Sequence, residues 1–281
     1  VSYDPRLTPA RPDLAAEHLK GLVAADAYAP GRRMQVARAF ADLKRAPDEN
    51  APTDTQALFG ETLIVYEQKN GWCWGQLDRD RYVGYIEEGA LSEKIQKANH
   101  RVRVRHTMVY ARPDIKSPPV DMLPFGAEVN AVAASADFLE IEGGHIFSRH
   151  LATNARPLTD FVGLAEMFLH TPYLWGGKTD LGIDCSGLVQ VTLNAIGVAA
   201  PRDTDMMEAT LGRPADVDDR MRGLRRGDLI FWRGHVAIVR DEQTILHATA
   251  HSMTVMTEPL LTARDRIRSK NFSEVTAVRR V

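Results

Sequence analysis

The chain has 281 residues, with 35 Lys and Arg against 37 Asp and Glu for a net charge of −2. At ~100–200 residues per domain this length means two or three domains, and 44% hydrophobic with 26% charged residues marks a globular rather than a disordered chain. The charge balance argues against a general nucleic-acid binder, which needs a basic excess to neutralise phosphates. Two cysteines, Cys73 and Cys185, can build neither a disulfide framework nor a four-cysteine zinc site.

Residues 1–30 carry Pro5, Pro9, Pro12 and Pro30 around one short helical stretch, Asp13 to Val23, in which Leu14, Glu17, His18 and Gly21 follow at helical spacing. This segment reads as an arm packed on something larger. Val1-Ser2-Tyr3-Asp4-Pro5 shows no basic region followed by an apolar one, and no stretch reaches the ~18 apolar residues of a membrane span. A soluble protein of a reducing compartment, with no membrane partner, is the expectation.

Residues 31–155 read as short strands. Leu63–Tyr66, Trp72–Leu77 and Tyr82–Ile86 are rich in β-branched and aromatic residues between turn residues. Val102, Val104, His106 and Met108 alternate with Arg103, Arg105 and Thr107, the pattern of a half-buried strand. A weak repeat runs through the region. Phe59-Gly60 then Leu63 matches Phe125-Gly126 then Val129 at an offset of 66, while Gly84, Ile86 and Leu91 match Gly144, Ile146 and Leu151 at an offset of 60. The six-residue difference belongs in a hairpin loop. Roughly 60 residues of short strands per copy suits a small SH3-like barrel, so two barrels are expected, over 31–98 and 99–155.

From Arg156 the pattern changes. Phe161, Leu164, Ala165, Phe168 and Leu169 form one helical face, closed by Thr171-Pro172. After Trp175-Gly176-Gly177 a second helix is expected from Asp184 to about Ile196, closed by Gly197. Strands are expected over 228–232, 235–239 and 244–249. Helices followed by antiparallel strands indicate an α+β domain over 156–281.

Asp184-Cys185-Ser186-Gly187 opens the second helix. Asp is a favoured N-cap, which puts Cys185 in the first turn. The unpaired N–H groups and positive dipole end there favour a thiolate, the nucleophilic form, and can hold the oxyanion of a tetrahedral intermediate. A nucleophilic cysteine needs a base. If the hairpin around Arg240-Asp241-Glu242-Gln243 is centred on Asp241, His235 and His247 stand directly opposed on one face, Cβ atoms ~5 Å apart, and a one-residue slip breaks the arrangement. The candidates are therefore Cys185, His235 and His247.

Each of the three has a plainer reading. A lone cysteine is more often a buried small hydrophobe, and a lone histidine more often structural. The same three residues also form a conceivable zinc set, but no close-spaced ligand pair such as His-Glu-x-x-His is present. Cys73, between Trp72 and Trp74, reads as sheet core. His18, His100, His106, His145, His150, His170 and His251 have no spacing that beats a surface reading.

At these residues the sequence resembles the NlpC-type family of papain-like cell-wall cysteine peptidases. The matching text is Thr171-Pro172-Tyr173-Leu174-Trp175-Gly176-Gly177, Gly182-Ile183-Asp184-Cys185-Ser186-Gly187-Leu188-Val189-Gln190, Pro201-Arg202-Asp203-Thr204, Arg226-Gly227-Asp228-Leu229-Ile230-Phe231-Trp232, Gly234-His235-Val236 and His247-Ala248, in the family's order over about the last 125 residues. The resemblance implies Cys185 as nucleophile, His235 as general base and acid, and His247 as the residue orienting His235. It also implies a chain of α+β class, two small all-β SH3-like barrels ahead of a papain-like catalytic domain.

Two such barrels resemble the subgroup that cleaves the γ-D-glutamyl–diamino acid bond of peptidoglycan stem peptides with a free N-terminal L-alanine. In that subgroup Asp184 and Ser186 match positions that help hold the substrate amine, with Glu61 and Tyr82 (or Tyr85) as the matching residues of the first barrel. Trp175 looks like a cleft wall and Tyr173 a second lining residue. Without the resemblance, Glu61 reads as a solvated strand carboxylate and Tyr82 as barrel core. Asp80-Arg81 departs from the family, which more usually has glycine before this tyrosine. The expected partner is a peptidoglycan-derived peptide, met in the cytoplasm as a recycled fragment, with no metal or organic cofactor. The competing readings are an inert wall-binding protein and an acyltransferase or lipid hydrolase on the same scaffold.

Overall fold

Strand-forming residues dominate the first half of the chain, and they close on two separate apolar centres. The computed structural model describes residues 3–133, 135, 137–218, 220–271 and 273–281; Val1 and Ser2, read above for a leader pattern, lie outside them. The chain divides into two compact units, Val1–Arg156 and Pro157–Val281. No helix among the described residues is long and apolar enough to cross a membrane.

In the first unit, one seven-stranded antiparallel sheet runs in the order Thr53–Leu58, Phe40–Lys44, Val83–Glu87, Trp72–Leu77, Thr62–Lys69, Arg32–Val36, Leu91–Ser92. It wraps a core of Met34, Val36, Leu43, Leu63, Val65, Cys73, Leu77, Tyr82 and Ile86. Cys73 is packing here, and burial pushes its thiol up to about 11. Strands between His100 and Thr153 form a three-stranded and a five-stranded sheet, with Val102, Val109, Leu123, Val129, Ile146 and Leu151 inside.

The repeat has a structural counterpart. Gly60 and Gly126 share a left-handed backbone, φ +84° and +85°. A 3-10 turn precedes the last strand in both halves, at Glu88–Ala90 and Ser148–His150. Trp72 pairs with Glu87 as Phe138 pairs with Phe147. Gly75 opposes Gly84 across eight residues, whereas Ile141 opposes Gly144 across two. The six additional residues therefore lie in the turn that carries Arg79, Asp80, Arg81 and Tyr82.

Arg81 in this turn has φ +65°, a region that costs a side-chain-bearing residue about 1–2 kcal/mol and that glycine enters freely. Arg81→Gly is expected to stabilise the first unit by about 0.5–1 kcal/mol, the loss of unfolded-state restriction offsetting part of the relief. Urea denaturation of the two proteins measures it; a destabilised variant would mean that Arg81 holds the turn by contacts.

The N-terminal segment differs from expectation. The helix expected over Asp13–Val23 is instead a strand, Leu14–Ala16, and one 3-10 turn, Glu17–Leu19. Leu14–Ala16 pairs in parallel with Ala27–Ala29, and Ala15 and Ala16 are fully buried. Tertiary contact overrides a short helical pattern: Arg11 lies 4.3 Å above the Trp74 ring and donates to Glu67 and the Tyr85 hydroxyl.

The second unit is built on a six-stranded antiparallel sheet ordered Arg213–Pro214, Val275–Arg280, Asp228–Trp232, His235–Val239, Thr244–Thr249, Thr254–Pro259. The three strands expected from sequence occur at the expected bounds. Helix Phe161–Glu166 is capped by Asp160, which accepts the Gly163 N–H at 3.0 Å. Helix Cys185–Ala195, almost wholly buried, packs against strands His235–Val239 and Thr244–Thr249. Helix Leu260–Asn271 supplies Leu260, Ala263 and Ile267 to a core with Ile230, Trp232, Val239 and Ile245.

Candidate active site

The site starts from one carboxylate. Asp184 has the extended backbone of an N-cap and its Oδ1 accepts the Gly187 N–H at 2.6 Å. Its Oδ2 accepts the Gly176 N–H at 2.8 Å and Arg202 Nη2 at 2.6 Å. Arg202 Nη1 donates to Ser186 Oγ at 2.6 Å. The Gly-Gly loop is thereby bound to the helix start, and the approach is close: a Cβ on Gly187 would sit 2.2 Å from the Gly177 carbonyl oxygen. Only glycine fits there, which accounts for the Ser-Gly after the cysteine.

Cys185 is the first residue of the helix and only 6% exposed. The backbone N–H groups of Val236 and Ser186 are directed at its sulfur. Burial, then the Asp184 charge, pushes the thiol up to about 12, against the pull of those N–H groups and Arg202. Strand His235–Val239 thus brings the Val236 N–H to the sulfur, with His235 the preceding residue of the same strand. His235 Nε2 lies 2.9 Å from His247 Nδ1, ring centroids 5.0 Å apart. Burial, then His247 and Arg266, holds His235 down at about 3. Thiol and imidazole therefore both favour their uncharged forms.

The histidines meet through a register two residues from the expected one. Ile238 pairs with Leu246 and Val239 with Ile245, which carried on places Thr249, not His247, opposite His235. A hairpin centred on Asp241 leaves too few residues to reverse the chain. The turn instead uses Asp241–Gln243: Arg240 N–H donates to the Thr244 carbonyl at 2.9 Å, and the Asp241 carboxylate accepts from Gln243 and Thr244 N–H. A shift of two preserves the face, so the histidines become diagonal neighbours and still touch.

Residues 170–273 match the NlpC/P60 family, and residues 43–91 match the bacterial dipeptidyl-peptidase SH3 domain. The chain carries an NlpC/P60 domain preceded by an SH3-like domain. It is 28% identical over 235 residues to a Lysinibacillus sphaericus protein named dipeptidyl-peptidase 6, covering 75% of this chain and 85% of that one. It is 27% identical over 259 residues to the gamma-D-glutamyl-L-lysine dipeptidyl-peptidase of Bacillus subtilis, covering 80% of each. Its fold is similar to the crystal structure of an NlpC/P60 family protein from Bacillus cereus, with a TM-score of 0.74 at 20% identity over 88% of this chain and 99% of that one.

The NlpC/P60 domain brings Cys185, His235, His247, Asp184 and Ser186 together. Tyr173 joins them: burial, then the charges of Cys185 and Asp184, raises its phenol above the ordinary range. Trp175 is 64% exposed on the same unit. Glu61 and Tyr82 belong to the first unit. Glu61 is buried rather than solvated, its Oε2 accepting the Leu58 N–H at 2.9 Å and its Oε1 the Arg79 Nε at 2.8 Å. Arg79 also reaches Glu128 at 2.6 Å, and the three line a cavity of about 450 Å³. Tyr82 is 4% exposed in the barrel core and donates its backbone N–H to Asp80. Tyr85 holds Arg11 through its hydroxyl.

Two residues at the NlpC/P60 site were missed as site residues. Arg202, quoted only as motif text, is fully buried and pairs with Asp184. Burial works against its charge, and Asp184 overrides that and holds the guanidinium above its ordinary value. Each carboxylate expected to greet an ammonium thus already faces an arginine, Asp184 with Arg202 and Glu61 with Arg79. Glu258 is the second: its Oε1 lies 2.9 Å from His247 Nε2. Counting the hairpin from Thr244–Thr249 to Thr254–Pro259 finds it, since Ile245 pairs with Glu258 and His247 with Met256. Among the described residues, no cluster of His, Cys, Asp or Glu is arranged to hold a metal ion.

Proposed function

We propose that the chain is a cysteine peptidase that hydrolyses the γ-D-glutamyl–diamino acid bond of peptidoglycan stem peptides whose N-terminal L-alanine is free. The observation that carries the chemistry is the Cys185 sulfur at a helix start, beneath the N–H of Val236, whose preceding residue His235 contacts His247 at 2.9 Å. Cys185 Sγ attacks the γ-carbonyl and its proton passes to His235. Amides at the helix start hold the oxyanion. His235 then protonates the departing amine of the diamino acid, and a water activated by the same imidazole releases the acyl group and restores the thiol. The two relatives named for dipeptidyl-peptidase activity support the bond, and an intact Cys185, His235 and His247 set argues against an inert wall-binding protein.

The free-amine requirement is assigned to Glu61, Tyr82, Asp184 and Ser186. Glu61 and Glu128 share the Arg79 guanidinium, so an ammonium that reaches Glu61 competes with Arg79 for it. The turn that holds Arg79 and Tyr82 is the one lengthened by six residues relative to its repeat, which supports a role beyond scaffolding. Residues 99–155 are read as a second SH3-like barrel, following an arm over 1–30 and a first barrel over 31–98, with the catalytic domain over 156–281. A substrate with a free alanine amine is a released fragment, which fits recycling in the cytoplasm.

Mass spectrometry after incubation with L-Ala-γ-D-Glu-meso-diaminopimelate and its N-acetylated form tests both levels. The free-amine peptide is expected to yield L-Ala-D-Glu and diaminopimelate, and the acetylated one to survive. Equal cleavage of both would remove Glu61 and Tyr82 from the site; survival of both would overturn the substrate.

A further inference from the structure

Strand alternation places His235, His247 and Glu258 on one face of the sheet, in three successive strands. Their contacts form a line: His235 Nε2 to His247 Nδ1 at 2.9 Å, and His247 Nε2 to Glu258 Oε1 at 2.9 Å. Arg266, from helix Leu260–Asn271, reaches the same Glu258 oxygen. His247 is 1% exposed and Glu258 9%, so water does not scramble the line. His247 Nε2 is buried and meets no acceptor at full hydrogen-bond geometry among the described residues, and Glu258 Oε1 is the carboxylate oxygen that comes within 2.9 Å of it.

We infer that Glu258 is a positioning residue of the peptidase, and that it acts by fixing which nitrogen of each histidine carries the proton. A carboxylate only accepts, so the proton of neutral His247 must sit on Nε2. Nδ1 of His247 is then a bare acceptor, and His235 can meet it only by donating from its own Nε2. The remaining nitrogen of His235, Nδ1, is left with a free lone pair. That lone pair is what a general base offers to the Cys185 thiol. If His247 carried its proton on Nδ1, His235 Nε2 would have to accept, Nδ1 would be blocked by a hydrogen, and no base would face the sulfur.

Arg266 has a part in this. Its guanidinium shares the Glu258 oxygen with His247 Nε2, so the carboxylate is already answered by one cation in a buried position. Burial works to raise the Glu258 carboxyl, but His247 and Arg266 outweigh it and hold the group below its ordinary value, so it stays an acceptor at working pH.

The inference rests on the peptidase reading, but its direct test does not use substrate. Two-bond proton–nitrogen NMR spectra of the full chain labelled with nitrogen-15 histidine report which ring nitrogen is protonated. Both His235 and His247 are expected as Nε2–H forms near neutral pH. An Nδ1–H or doubly protonated His247 overturns the inference, whatever the substrate proves to be.

Glu258→Gln adds the functional arm, because an amide presents a donor and an acceptor and gives the line no fixed direction. Where a carboxylate lies directly on the catalytic histidine, amide replacement costs about 10⁴-fold in kcat. Glu258 acts through a second ring, and roughly a 10–100-fold loss in kcat with KM unchanged is expected, together with an Nδ1–H population at His247. Glu258→Asp, which restores an acceptor-only group, is expected to recover part of kcat. Full kcat and unchanged tautomers in a folded Glu258→Gln protein would overturn the role; if that variant fails to fold, the wild-type spectrum decides.

Discussion

Cys185→Ala is expected to lower turnover of L-Ala-γ-D-Glu-meso-diaminopimelate by at least roughly 10⁴-fold while the peptide still binds. Removing the nucleophile of a covalent mechanism leaves only oxyanion stabilisation and binding, and the loss is of that order in enzymes that work as a linked set. The substitution keeps the Cβ, the Asp184 cap on the Gly187 N–H and the Arg202 bonds to Asp184 and Ser186. The fold therefore has no reason to fail: a small buried thiol is removed, and a stability change within about 1 kcal/mol follows from its size. Cys185→Ser is expected to be nearly as inactive. A hydroxyl is less acidic than a thiol, and the low basicity of His235, held at about 3, gives it little help. Product release followed by chromatography and peptide binding followed by calorimetry separate the two effects. Turnover retained in Cys185→Ala would remove Cys185 from the mechanism; binding lost with it would mean the sulfur is part of the substrate cradle.

How far the sequence carries such a prediction depends on how local the cause is. The Asp-Cys-Ser-Gly helix start is written in four adjacent residues, and the structure places cap, cysteine and glycine as those residues require. The His235–His247 pairing was legible through strand alternation, because a register shift of two leaves the face unchanged, although the turn geometry that sets the register was not. Glu258 was open to the same arithmetic one hairpin further on. The N-terminal arm was misread because Leu14, Glu17, His18 and Gly21 satisfy a helical pattern by chance. Its strand is decided by burial of Ala15 and Ala16 and by a parallel partner, Ala27–Ala29, and no local pattern announces either. The partner of Arg202 was invisible for a similar reason. The chain travels the length of helix Cys185–Ala195 and returns before Arg202 meets the cap it left at Asp184.

That return contact sets the largest stability effect expected in the catalytic unit. Arg202→Leu is expected to destabilise it by about 3–5 kcal/mol, the range for breaking a buried ion pair by removing one partner. Asp184 would be left buried with its Oδ2 served by the Gly176 N–H alone of the two bonds described there. Ser186 Oγ would lose its 2.6 Å donor as well. Arg202→Lys is expected to recover little, since one ammonium cannot span the two acceptors that Nη1 and Nη2 reach together. The double variant Arg202→Leu with Asp184→Asn is expected to be less damaged than the sum of its parts, because the uncompensated charge is gone. Urea unfolding of the four proteins, followed by a probe of the second unit, gives the coupling directly. A cost below about 1 kcal/mol for Arg202→Leu would mean that the pair is not closed from water. Additive single and double variants would mean that Asp184 does not depend on Arg202, and that the capped helix start beneath Cys185 is held by Gly176 and Gly187 without it.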